Sequence, residues 1–160
     1  MLLAGILLIG LILPNGCMRP VHQTSANLEN TVELLGSFTS STRYHAGQTV
    51  DVTMHWLGLC SLDKDYKAFL HLTDPAMTHQ PAQHDGDPGG GFTPVSRWLP
   101  GEIMPDTYHT PLPADLPPGR YLLWGGLHDY ETVQGLQVLS ASVSSSDSRV
   151  LLGEIEVVAT

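Results

Sequence analysis

The sequence predicts an all-β fold, and three observations carry that prediction. Residues 49–57 alternate Val50, Val52, Met54 and Trp56 with Asp51, Thr53 and His55, the period-two pattern of a strand with one buried face. Short apolar runs of similar kind recur between Val32 and Val158, punctuated by Gly, Pro, Asp and Ser. No segment of useful length carries the i, i+3, i+4 stripe of an amphipathic helix.

Taken in order, a first strand is expected over residues 32–40, and Ala46-Gly47-Gln48 supplies a turn into the alternating strand. Residues 66–73 form the next, with Ala68, Leu70 and Leu72 on one side and Phe69 and His71 on the other; Asp74-Pro75 ends it, because proline removes a ladder donor. Residues 78–94, rich in Gly, Pro, Asp and His, read as a long loop, a kind that usually carries a site or moves. Strand character returns over residues 102–112, where Pro105 and Pro111 confine the segment to an edge or a short ladder. Residues 113–119 connect to a strand over 120–128 that is apolar on both faces, Tyr121, Leu123 and Leu127 against Leu122, Trp124 and His128, as a central strand is. Residues 136–142 and 150–158 have strand composition and flank a Ser/Asp-rich hairpin at 144–148. The sum is an immunoglobulin-like antiparallel β-sandwich of about seven strands. The Cys-Trp-Cys hallmark of antibody domains is absent, so the expectation concerns architecture alone.

Ahead of this domain, an uncharged apolar run over residues 2–13 meets a short polar break and then Cys17. The run is about half the ~20 residues that cross a bilayer and lies within the ~7–15 of a secretory h-region, so it reads as an export signal. Leu13-Pro14-Asn15-Gly16-Cys17 resembles the lipobox of bacterial lipoproteins, in which the chain is cut before a cysteine that carries lipid. Gly16 and Cys17 match that pattern; Pro14, Asn15 and the lack of a preceding Lys or Arg depart from it. A plain cleaved signal and an uncleaved anchor are the alternatives, and all three place the rest outside the cytoplasm. The expected organisation is residues 1–16 signal peptide, 17–30 tether after a lipidated Cys17, and 31–160 β-sandwich.

From Cys17 onward about 144 residues remain, enough for one domain with a moderate core. The formal charge of −9 falls wholly on this part, which argues against nucleic acid and against an electrostatic grip on anionic lipid. Membrane attachment is expected through lipid on Cys17. With Cys17 acylated only Cys60 remains, so no disulfide framework is expected, and Cys60 reads as a small residue at a strand end; a Cys17 to Cys60 bridge is the formal alternative were Cys17 not lipidated.

A series of motifs runs through the domain: Asp65-Tyr66 before Phe69-Leu70-His71-Leu72, then Gln83-His84-Asp85, Gly89-Gly90-Gly91, Trp98-Leu99-Pro100-Gly101-Glu102, Asp106, Leu116-Pro117-Pro118-Gly119-Arg120-Tyr121 and Gly126-Leu127-His128-Asp129. The series resembles the extracytoplasmic C-terminal β-sandwich module of bacterial mannosyltransferase-like membrane glycosyltransferases. His128 stands where that module often has Tyr. Those enzymes carry their chemistry in a membrane portion this sequence lacks, so the resemblance implies an accessory module without catalysis.

Residues that could carry chemistry are few. His79, His84, Asp85 and Asp87 are weak metal candidates, since they fit neither a zincin helix nor an EF-hand; hydrogen bonds within turns are the simpler use, and no metal or cofactor is expected. Gly89-Gly90-Gly91 lacks the Gly-Lys-Ser/Thr of a phosphate loop. Glu102 and Asp106 form an imaginable hydrolytic pair, yet read as structural, Glu102 pairing with Arg97 or Arg120 and Asp106 capping a turn. No Gly-x-Ser-x-Gly elbow occurs. The candidate contact residues are Trp98, Trp124, His128, His84 and Asp85, with closure of the second sheet the alternative use of the Trp124 face. The expected role is a non-enzymatic, lipid-anchored cell-surface interaction module in envelope or glycoconjugate assembly, its partner an envelope protein or glycan. A carbohydrate-binding module using Trp98 and residues 79–92 is the alternative, and a metal-dependent hydrolase a more remote one.

Overall fold

The alternation of residues 49–57 is realised in the computed structural model, which describes residues 26–159, as a strand whose Val50, Val52, Met54 and Trp56 are buried. The described strands are β1 (Ala26–Leu28), β2 (Val32–Thr39), β3 (Arg43–His45), β4 (Thr49–Gly58), β5 (Tyr66–Thr73), β6 (Ala82–Gly86), β7 (Ile103–Pro111), β8 (Gly119–Asp129), β9 (Val138–Ala141), β10 (Ser145–Ser146) and β11 (Arg149–Val158). One sheet runs β7-β4-β2-β1-β9 and the other β10-β11-β8-β5-β6, with β3 alongside β11. Two sheets enclosing one core make the immunoglobulin-like sandwich that the sequence predicts.

Each long strand sits where its sequence puts it. β8, apolar on both faces, is central between β11 and β5. β7 lies at the edge of its sheet, where Pro105 and Pro111 cost no ladder donor on the outer side. The turn before β4 uses Gly47 at φ +81°, a left-handed conformation that glycine adopts without Cβ strain. Tyr121, at the start of β8, donates its hydroxyl to the Pro117 carbonyl at 2.9 Å, the corner found in many immunoglobulin-like domains.

Three expectations are corrected. Strands exceed seven because β1, β3, β9 and β10 are only two to four residues long, too short for alternation to register. β3 runs parallel to β11, so the second sheet is mixed. Residues 78–94 are not one long loop: β6 pairs antiparallel with β5 after a turn in which Asp74 accepts the His79 amide at 2.7 Å and the Thr78 hydroxyl at 2.9 Å. The Gln-His-Asp composition hid this edge strand, whose outer face is polar.

The expected tether also ends earlier, because Ala26–Leu28 is buried between β2 and β9. The export signal and the lipidation of Cys17 fall outside the described residues. Cys60, expected to stand free, is instead disulfide-bonded, and its partner falls outside the described residues. Its Sγ lies 3.3 Å from the Asn30 carbonyl, a contact only, since a disulfide sulfur has no proton to donate.

Candidate functional site

At one end of the sandwich the β4–β5, β6–β7 and β8–β9 connections surround a cleft of about 610 Å³. Its walls are Lys64, Asp65 and Tyr66 at the start of β5, the Asp87 to Pro94 loop, and Asp129 to Thr132 at the end of β8. The strand register builds it: Tyr66 pairs directly with Asp129, so two Asp-Tyr dipeptides, Asp65-Tyr66 and Asp129-Tyr130, meet across neighbouring strands.

Asp129 organises one wall. Its Oδ1 accepts the amides of Glu131 and Thr132, each at 2.9 Å, and its Oδ2 takes the Lys64 ammonium. That ammonium, with the two amides, holds the Asp129 carboxyl far below the usual carboxylate range, and Lys64 is raised in return. The Lys64 Nζ also lies 5.4 Å from the Tyr66 ring centre. Burial pushes the Tyr66 hydroxyl up, so Tyr66 stays neutral. Tyr130 is 57% exposed, with the Lys67 ammonium 4.6 Å from its ring centre.

The opposite wall is tied down from beneath. The Gly89 amide donates to Asp106 Oδ1 at 2.9 Å, the Tyr108 hydroxyl to the Gly86 carbonyl at 3.2 Å, and the Ser96 amide to Asp65 Oδ1 at 3.1 Å. Gly89 and Gly90 turn at φ +62° and +67°, conformations that favour glycine, and a Cβ on Gly89 would stand 2.2 Å from Thr93 Oγ1, which accounts for the Gly-rich run without a phosphate. Burial raises the Asp106 carboxyl, and burial with the neighbouring Asp106 raises Tyr108. Asp106 thus caps a turn as expected. Glu102 does not pair with Arg97 or Arg120; it accepts the Leu99 amide at 3.0 Å, while Arg120 pairs with Glu154.

The candidates drawn from sequence scatter. Trp98 is 2% exposed, with its indole N–H on the Thr93 carbonyl at 2.8 Å, so it supports the β6–β7 connection and is not a contact platform. Trp124 is buried and donates to Thr73 Oγ1 at 3.0 Å, with the Arg149 guanidinium 5.9 Å above its ring. His84 and Asp85 take opposite faces of β6, as period two demands. His84 turns to the His109 carbonyl at 3.1 Å and stands edge-on to Tyr108, while Asp85 turns out to His71 at 3.1 Å and faces His128 at 3.8 Å. His79 lies in the β5–β6 turn and Asp87 in the cleft, at opposite ends of β6. The four weak metal candidates therefore do not converge, and among the described residues no three His, Cys, Asp or Glu side chains are placed to hold an ion.

Sequence reasoning missed Lys64, Asp129, Tyr130 and Glu131. The repeated Asp-Tyr pair at the ends of two predicted strands was the available signal. These features define the class, an immunoglobulin-like sandwich with a polar, carboxylate-lined cleft at one loop end. No family model matches the chain, and no curated protein matches it.

Proposed function

We propose that this chain is a non-enzymatic, extracytoplasmic accessory module that binds its partner in the loop-end cleft. Its export signal puts it outside the cytoplasm, and it serves envelope or glycoconjugate assembly, as the resemblance to the glycosyltransferase module suggests; lipid on Cys17 would hold it to the cell membrane only in a form of the chain whose Cys60 is not disulfide-bonded. The cleft carries the reading. It combines an exposed Tyr130 ring, the Lys64 ammonium and the carboxylates of Asp65, Asp87 and Glu131, groups that together suit a ligand rich in hydroxyls or amines. Two of the cleft carboxylates hold the site together, Asp129 through Lys64 and two backbone amides and Asp65 through the Ser96 amide, which leaves Asp87 and Glu131 to face a ligand.

The exposed ring of Tyr130 favours a second reading, carbohydrate binding, since aromatic faces stack on sugars. That reading now rests on Tyr130 and the cleft rather than on Trp98. Amide NMR shifts during titration with envelope saccharides test both. Shifts confined to residues 64–66, 87–94 and 129–132, lost in Tyr130→Ala, support a glycan ligand; cleavage of the saccharide overturns the non-enzymatic role. No shift with any saccharide leaves protein partners as the ligand class.

The anchor is tested by intact mass of the protein from native membranes. The chain has one cysteine besides Cys60, and one sulfur cannot hold both a lipid thioether and a disulfide. Acylated Cys17 supports the anchor. A Cys17 to Cys60 bridge overturns it and leaves export standing, because disulfides persist in oxidising compartments.

A further inference from the structure

The geometry points to a proton-operated clasp that ties edge strand β6 to central strand β8, with His128 as its switch. His128 is 9% exposed and lies on the outer face of the second sheet. Its Nδ1 stands 3.2 Å from the Asp129 carbonyl oxygen and its Nε2 3.8 Å from Asp85 Oδ2. Both ring nitrogens therefore face acceptors. A neutral imidazole has one N–H; spent on Asp129, it leaves an Nε2 lone pair opposite a carboxylate. That atom has no hydrogen-bond partner among the described residues. The imidazolium satisfies both oxygens at once and draws Asp85 toward β8.

His71 differs, and the contrast sharpens the assignment. Its Nε2 lies 3.1 Å from Asp85 Oδ1, while its buried Nδ1 finds no partner among the described residues. A neutral ring with the proton on Nε2 fits, and burial lowers His71 below the ordinary histidine range. Asp85 thus offers one oxygen to a neutral donor and the other to a ring that needs a second proton.

The remaining charges near this face are accounted for. Lys67 is the register partner of His128 on β5, but its ammonium sits over Tyr130, and Arg149 of β11 sits over Trp124. The Asp129 carboxylate is held by Lys64. Asp85 is the carboxylate left facing the His128 ring.

β6 is an edge strand whose ladder partner is β5, so a side-chain link reaching β8 adds an anchor that its backbone lacks. With His128 protonated the clasp closes; with His128 neutral it opens. β6 runs directly into Asp87 and Pro88 of the cleft wall, so an open clasp loosens that wall; this last consequence rests on the cleft being the binding site, and the clasp itself does not.

Amide exchange of the full chain without ligand, corrected for intrinsic rates, decides it. At about pH 5.5 the β6 amides are expected to be protected about tenfold more than at about pH 8, the range in which histidine charge changes. Asp85→Asn and His128→Phe each remove this difference, while His71→Gln keeps it. Equal β6 protection at both pH values in the wild type, or a pH response surviving Asp85→Asn, overturns the clasp. Because no ligand is present, either result stands whether or not the cleft binds anything.

Discussion

The Gly89 amide donates to Asp106 Oδ1 at 2.9 Å, joining the glycine turn of the cleft wall to a carboxyl that is 2% exposed on edge strand β7. Burial raises this carboxyl, so its stabilising form is the protonated one, fully present below the ordinary carboxylate range and lost as pH rises through the raised value. Asp106→Asn keeps an acceptor for Gly89 without the buried charge. It is expected to match or exceed wild-type stability at neutral pH and to flatten the mildly acidic slope. Asp106→Ala leaves the Gly89 amide unpaired and should cost about 1–3 kcal/mol. Thermal melts across mildly acidic to neutral pH check this; equal losses in both variants contradict it.

Asp129 behaves oppositely. Lys64 and two backbone amides depress its carboxyl, so its contribution is present above the ordinary carboxylate range and disappears as pH falls through the depressed value in strong acid. Asp129→Asn should weaken the protein at neutral pH and shrink its loss of stability on acidification. Urea midpoints from neutral to strongly acid pH test the sign, and an unchanged acid limb refutes it.

Removing the Tyr121 hydroxyl by Tyr121→Phe keeps the buried ring and deletes the bond to Pro117. A loss of about 0.5–1.5 kcal/mol is expected, read as a lower urea midpoint with unchanged m-value. A neutral outcome would show that the corner carries no net energy here.

Gly126 and Gly153 make a matched pair. A Cβ on Gly126 would stand 2.5 Å from the Phe69 ring and 2.5 Å from the Ser148 carbonyl, whereas one on Gly153 meets nothing within 4 Å. Gly126→Ala should cost about 1–3 kcal/mol through overpacking, and Gly153→Ala little. Equilibrium unfolding of the two variants separates them; similar losses would mean that the contacts over Gly126 give way easily.

Where side chains alternated over enough residues, the fold was legible. β4, β5, β7, β8 and β11 all stand close to where their patterns place them, and Pro105 and Pro111 correctly marked an edge. The site was less legible. Asp85 and His128, both named as candidate contact residues, do come together, but through the β6–β5–β8 register, whose β6 strand the polar Gln83-His84-Asp85 stretch concealed. Trp98 read as a loop aromatic and is buried.

The sequence by itself determined the all-β class, the core-facing residues of the long strands and the acidic charge, because each follows from local periodicity or composition. Tertiary structure alone decided the cleft and the clasp. Tyr66 meets Asp129 only through the β5–β8 register, and Asp85 reaches His128 across an intervening strand. Those distances depend on which strands pair and in what register, a long-range choice set by packing the whole core and not written in any one segment.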